Sequence, residues 1–181
     1  MKRVLIPCLF VLLVATCAAQ VHRKAAPHTE KTQPSCIRVQ DGTFHSAALD
    51  QEMKYRILLP CGYQTAGRRS PVLYLLHGLY GNYLNWDSYT KLKRYAYKYD
   101  LIVVMPDADD SWYTNSACDP KDKFEDYIAK DMVAEIDGKF RTVRLRHARA
   151  IAGLSMGGYG ALKIALRYPD NFVLPAVSVE R

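Results

Sequence analysis

Residues 150–162, Ala-Ile-Ala-Gly-Leu-Ser-Met-Gly-Gly-Tyr-Gly-Ala-Leu, constrain this chain more than any other stretch. A short apolar run leads into Gly153-Leu-Ser-Met-Gly157, and a helical pattern begins directly behind it. That order reads as a strand, a sharp turn carrying Ser155, and a helix. A G-x-S-x-G turn has a mechanical basis. The serine occupies strained backbone at the top of the strand, and glycines beside it let strand and helix approach. The turn lifts the Ser155 hydroxyl into the open and aims the first helix amides at the same spot, where negative charge can be held. The expectation is a nucleophile elbow.

The rest of the chain supplies a frame for such a turn. Val72–Leu76, Leu101–Met105, Ala150–Ala152 and Phe172–Leu174 are continuous apolar runs, as expected of strands buried on both faces. Helical spacing covers 86–96, 123–140 and 156–168, the last stopped by Pro169. In the second, Asp122 and Glu125 form a capping-box pair, and Phe124, Ile128, Met132, Ile136 and Phe140 mark one face. Residues 36–40 and 54–59 alternate in polarity, which suits a half-exposed antiparallel edge. Buried strands alternating with helices predict an α/β fold, a mostly parallel sheet led by that N-terminal antiparallel edge.

In such a sheet, sites form at the carboxyl ends of the strands. Three segments leave there: 77–81, 106–115 and the Ser155 turn. In His77-Gly78-Leu79 the glycine lets the backbone come close, so the Leu79 amide points at the site beside the Met156 amide. The alternative is an ordinary glycine turn. His77 is assigned to support of the loop, not to base catalysis. Asp107, Asp109 and Asp110 match no calcium-loop spacing and read as a hydrogen-bonded turn. Trp112 and Tyr113 either line a pocket or pack. Tyr80, Tyr83, Tyr89, Tyr95, Tyr97 and Tyr99 are expected chiefly to pack within helices and loops, with Tyr80 or Tyr83 at the edge of the site.

The N-terminus reads as a secretory signal over 1–19, with two basic residues, an apolar run over 4–15 and small residues at its end. That run is too short to cross a bilayer, so no integral span is expected. The alternative is a lipoprotein anchored at Cys17. Residues 20–34 read as a polar linker, and 35–181 as one domain; 49% hydrophobic residues suffice for a core there. Secretion or a periplasmic location follows, and with it disulfides become permissible. Beyond the leader, Cys36, Cys61 and Cys118 allow at most one bridge, of open pairing. The histidines are few and dispersed, so neither a metal site nor a cofactor is expected. Without Lys2 and Arg3, 23 basic residues face 18 acidic ones. The cluster over 141–147 reads as a solvated loop, and no nucleic-acid motif is present.

Tyr74-Leu-Leu-His-Gly-Leu79, Asn85-Trp-Asp87, Met105-Pro-Asp107, Ser111-Trp-Tyr113, the helix over 127–136 and Gly153-Leu-Ser-Met-Gly-Gly158 follow in that order. From about residue 36 onward the chain thereby resembles the esterase family of α/β-hydrolases. That family includes S-formylglutathione hydrolase (esterase D), tributyrin and feruloyl esterases, and secreted mycolyltransferases. The resemblance implies a serine carboxylesterase or acyltransferase acting on a small-molecule or polysaccharide-linked ester, with no cofactor. Ser155 would be the nucleophile, the Leu79 and Met156 amides the oxyanion hole, and His77, Gly78, Trp112 and Tyr113 candidates for the substrate pocket. Oligomeric state stays open.

One departure stands out. The family's order places an acid and then a histidine after the serine. Among the 26 residues after Ser155 are Asp170 and Glu180, but no histidine. His147 precedes Ser155 by eight residues, roughly 25 Å along a strand at ~3.3 Å each. The expectation is a C-terminally truncated form that keeps nucleophile and oxyanion hole without the base, or else a non-catalytic binding protein of the same fold. Pro175 within the last expected strand is unusual for a central position.

Overall fold

A computed structural model describes residues 36–173 and 176–178 of the chain. The expected leader, Cys17, the linker to residue 34 and Pro175 lie outside the described residues. Six strands form one sheet in the order β1-β2-β4-β3-β5-β6. β1 (Arg38–Ser46) and β2 (Gln51–Leu59) make an antiparallel hairpin, and β2 joins β4 (Ile102–Pro106) antiparallel. β3 (Val72–Leu76), β4, β5 (Arg149–Leu154) and β6 (Ala176–Ser178) run parallel. This is the expected α/β sheet with its antiparallel edge.

Alternation along the central strands divides the core in two. Val72, Tyr74 and Leu76 of β3, with Ile102 and Val104 of β4, face the layer that holds Tyr127, Ile128, Met132, Ile136 and Ile164. Val103 and Met105 face the opposite layer with Leu75, Ala96 and Trp86. The first layer contains α3 (Phe124–Asp126), a π-helical stretch (Tyr127–Met132), α4 (Val133–Lys139) and α5 (Met156–Arg167). The second contains α1 (Asn85–Tyr89) and α2 (Leu92–Ala96).

Several local expectations need correction. The hairpin strands are longer than their alternation suggests, pairing from Arg38 with Leu59 to Ser46 with Gln51, and Gly42 sits over the Tyr55 ring, where a Cβ would lie 2.3 Å from Tyr55 Cζ. The helix expected over 86–96 is broken at Thr90, whose hydroxyl donates to the Trp86 carbonyl and accepts the Leu92 amide. Side-chain bonds of this kind compete with helix continuation. Phe172 and Val173 are not strand; the Val173 amide bonds the Arg149 carbonyl, and β6 begins at Ala176. Leu174 lies outside the described residues.

The Asp122–Glu125 capping box does not form either. Asn115 Oδ1 accepts the amides of Glu125 (3.0 Å) and Asp126 (3.2 Å), capping the helix from earlier in the loop that leads into it. Glu125 is instead buried against α5, with Lys163 Nζ at 2.6 Å from its carboxylate. Arg167 Nε stands 2.9 Å from the other oxygen but off the hydrogen-bond axis, so it contributes charge, not a directed bond. A buried carboxylate stripped of its partner is costly. Lys163→Met is expected to destabilise by about 2–3 kcal/mol, and Arg167→Met, at an exposed position, by about 1 kcal/mol or less. Urea unfolding of both variants checks the ranking.

The Cys36–Cys61 disulfide ties the start of β1 to the end of β2, and Cys118 is free and exposed. Among the described residues no helix is long and apolar enough to cross a membrane.

Candidate active site

Register places three loops at one end of the sheet. Leu76 pairs with Gly153 and Tyr74 with Val104, so the loops after β3, β4 and β5 emerge side by side. Of the six non-glycine residues with positive φ among the described residues, Tyr80, Asp109, Trp112, Tyr113 and Ser155 lie in these loops. Strain of that kind costs about 1–3 kcal/mol per residue and collects where geometry is held for function.

Ser155 is exposed between β5 and α5, with φ 53° and ψ −116°. The two glycines beside it are demanded by contact. A Cβ on Gly153 would lie 2.3 Å from the Gly157 backbone, and one on Gly157 would lie 2.5 Å from the Leu76 and His77 carbonyl oxygens. Helix α5 therefore starts directly against the ends of β3 and β5. In the loop after β3, the steric demand falls on Gly81 and not on Gly78. A Cβ on Gly81 would meet the Gly78 carbonyl at 2.8 Å, whereas one on Gly78 meets nothing nearer than Leu154 O at 3.4 Å. That hypothetical atom would be 3.8 Å from Ser155 Cβ, which sets the loop beside the serine. Neither the Leu79 nor the Met156 amide has an acceptor among the described residues.

The loop is braced from several directions. Trp86 Nε1 donates to the Leu76 carbonyl (3.0 Å), the Tyr113 hydroxyl to the His77 carbonyl (3.1 Å), and the Tyr80 amide to Asp110 Oδ1 (2.7 Å). The His77 ring is buried between the Gly78 carbonyl and the Ala108 amide, which donates to Nε2 at 3.1 Å. That pattern assigns the proton to Nδ1 and leaves neither nitrogen for Ser155. Burial pushes the Tyr113 phenol well above its ordinary value, so it remains a neutral donor, and burial likewise raises the Asp107 carboxyl.

Tyr113 is thus a brace and not a pocket wall. It is fully buried, and Gly160 lies against its ring, where a Cβ would come within 2.6 Å. Trp112 points the other way, half-exposed and edge-on to Tyr159 at 5.8 Å. Tyr113→Phe removes one buried bond and should cost about 1 kcal/mol, read as a lowered melting temperature.

A cleft of about 270 Å³ opens along this loop, lined by Gly78, Leu79, Trp86, Tyr89, Thr90 and Leu154 among others. His77 contributes to its floor. Asn85, Trp86 and Tyr89 of α1 also line it; Asn85-Trp-Asp87 is one of the motifs that carry the resemblance and Tyr89 falls in the helical spacing of 86–96, but neither signal marks them as pocket residues. A second cleft of about 230 Å³ lies at the opposite, amino end of β3 and β5, beside His147. Six-residue β5 separates that histidine from Ser155, about 20 Å at ~3.3 Å each.

A family model described as "Putative esterase" matches residues 46–178. An esterase of Mycobacterium tuberculosis is 35% identical over 135 residues, covering 71% of this chain and 29% of that protein. An acetyl esterase of Caldicellulosiruptor saccharolyticus is 34% identical over 101 residues, covering 56% of this chain and 38% of that protein. Among solved structures, the substrate-bound fluorophosphonate-binding serine hydrolase F of Staphylococcus aureus is similar, with a TM-score of 0.70 at 30% identity. It is matched over 77% of this chain and 55% of its own. The chain spans less than half the length of these curated relatives and about half that of the solved one.

Proposed function

Since this chain belongs to that esterase family and has the α/β-hydrolase fold, we propose that Ser155 is the nucleophile of an exported carboxylic ester hydrolase. The observation that carries the reading is an exposed serine at positive φ, with two amides, of Leu79 and Met156, that have no acceptor among the described residues. Ser155 Oγ attacks the ester carbonyl, and the developing oxyanion takes hydrogen bonds from the two amides. In a water-poor site each such donor is worth roughly 2.7–4 kcal/mol in the transition state. The alcohol leaves with a proton, and water then releases the acid from the acyl-enzyme. Export is supported by the leader-like residues 1–19 and by the Cys36–Cys61 bridge, since disulfides persist in oxidising compartments.

Proton removal is the open step. Among the described residues, His45 pairs with acids on the β1–β2 hairpin, His77 is fully engaged, and His147 is at the far end of β5. This favours a second reading, a fold that keeps the serine as a binding protein. Fluorophosphonate labelling separates the two. The first predicts slow modification confined to Ser155, mapped by mass spectrometry and abolished by Ser155→Ala, because hole and exposure alone retain 10³–10⁴ over water in comparable sites. Labelling spread over several serines, or none at all, would sink it.

A further inference from the structure

The segment 89–99, Tyr-Thr-Lys-Leu-Lys-Arg-Tyr-Ala-Tyr-Lys-Tyr, contradicts the packing expected of its tyrosines. Tyr89 is 82% exposed, Tyr95 61%, Tyr97 55% and Tyr99 61%. The segment turns only Ala96, with Leu92 partly, toward the core. Its cations share the outward side. Lys93 pairs with Asp87, but Lys91, Arg94 and Lys98 are exposed and form no ion pair among the described residues. The nearby acids are already engaged: Asp87 is buried against Arg56 and Lys93, and Asp100 holds Arg68. The outcome is a strip of tyrosine rings interleaved with unneutralised positive charge. Its first residues, Tyr89 and Thr90, also line the 270 Å³ cleft beside Leu79.

We propose that this strip binds a carboxylate-bearing polysaccharide and leads it to the cleft. Tyrosine rings offer flat faces for pyranose C–H groups and a hydroxyl at the tip for sugar oxygens. Lys91, Arg94 and Lys98 meet uronate carboxylates. A lipid surface fits less well, because α2 is one short turn, its exposed rings are hydroxyl-tipped, and its apolar residues Leu92 and Ala96 pack against the core. The choice of polysaccharide over single-stranded nucleic acid rests on the proposed function: an acylated glycan presents a carboxylic ester to Ser155, and a nucleic acid does not.

Native affinity electrophoresis of the full chain tests it, with polygalacturonate cast into the gel. Retardation by polygalacturonate, little by neutral dextran, and weakening as salt is raised are expected. Lys91→Gln/Arg94→Gln/Lys98→Gln should weaken binding roughly tenfold. Tyr95→Ala/Tyr97→Ala should weaken it roughly fivefold at unchanged charge. These positions are exposed, so melting temperatures should stay near the parent value. No retardation, equal retardation by dextran, or variants that bind like the parent would overturn the proposal. So would preferential binding of poly(dT) or of phosphatidylglycerol vesicles. Ser155 labelling is read separately, so a failed esterase reading with intact polygalacturonate binding is recognisable as such.

Discussion

Given p-nitrophenyl acetate, the 181-residue chain should turn over about six decades more slowly than a complete Ser-His-Asp esterase. The chemical reason is local. A serine hydroxyl is a weak nucleophile until a base takes its proton, and that base must stand within about 3 Å of Oγ. His77, the histidine that opens the loop after β3, has its Nε2 committed to the Ala108 amide and its Nδ1 to the Gly78 carbonyl. Releasing it would orphan a buried amide and loosen the loop that carries Leu79. Because Ser155 is exposed, imidazole added to the buffer should raise the slow rate beyond its own catalysis of the free ester, and Ser155→Ala should remove that excess. Turnover within two decades of a complete enzyme, lost in Ser155→Ala, would mean that another group activates the serine.

The largest effect on folding is expected at the junction of β5 and α5. Gly157→Ala puts a methyl group 2.5 Å from two carbonyl oxygens that end β3, and neither can retreat: Leu76 O is held by Trp86 and His77 O by Tyr113. Overpacking against yielding side chains costs about 1–3 kcal/mol. Against braced backbone, a loss of about 3 kcal/mol or more is expected. Gly138→Ala is the internal control. Nothing lies within 4 Å of that position inside α4, so better helix propensity should stabilise by about 0.5–1 kcal/mol. Denaturant midpoints moving in opposite directions would bear this out. A Gly157→Ala protein as stable as the parent would refute the account.

What could be read beforehand was local. The apolar runs of β3, β4 and β5 and the strand-turn-helix around Ser155 depend on neighbours in sequence, and the structure has them within a residue or two. Partners brought by tertiary folding could not be read. The helix at Phe124 is capped by Asn115, which the folded loop after β4 brings back to it and which no spacing rule inside 122–125 reveals. Tyr113 turns inward because its backbone and that of Trp112 adopt positive φ, a state set by the loop and not by residue type. The exposure of the tyrosines of 89–99 has a related cause. Thr90 breaks the helical phase, so the expected apolar face of 86–96 never forms as one surface. Cys36 and Cys61 needed the hairpin itself, which brings their Cα atoms to 4.9 Å.

The meeting of Gly160 with the Tyr113 ring has an evolutionary side. Any side chain at 160 must enter space the phenol occupies, and any shrinkage at 113 removes the support beneath the His77 carbonyl. Neither position is free to drift alone. Across natural variants the two should behave as one inherited unit, with a residue larger than glycine at 160 tolerated only where the partner at 113 has already given up its ring.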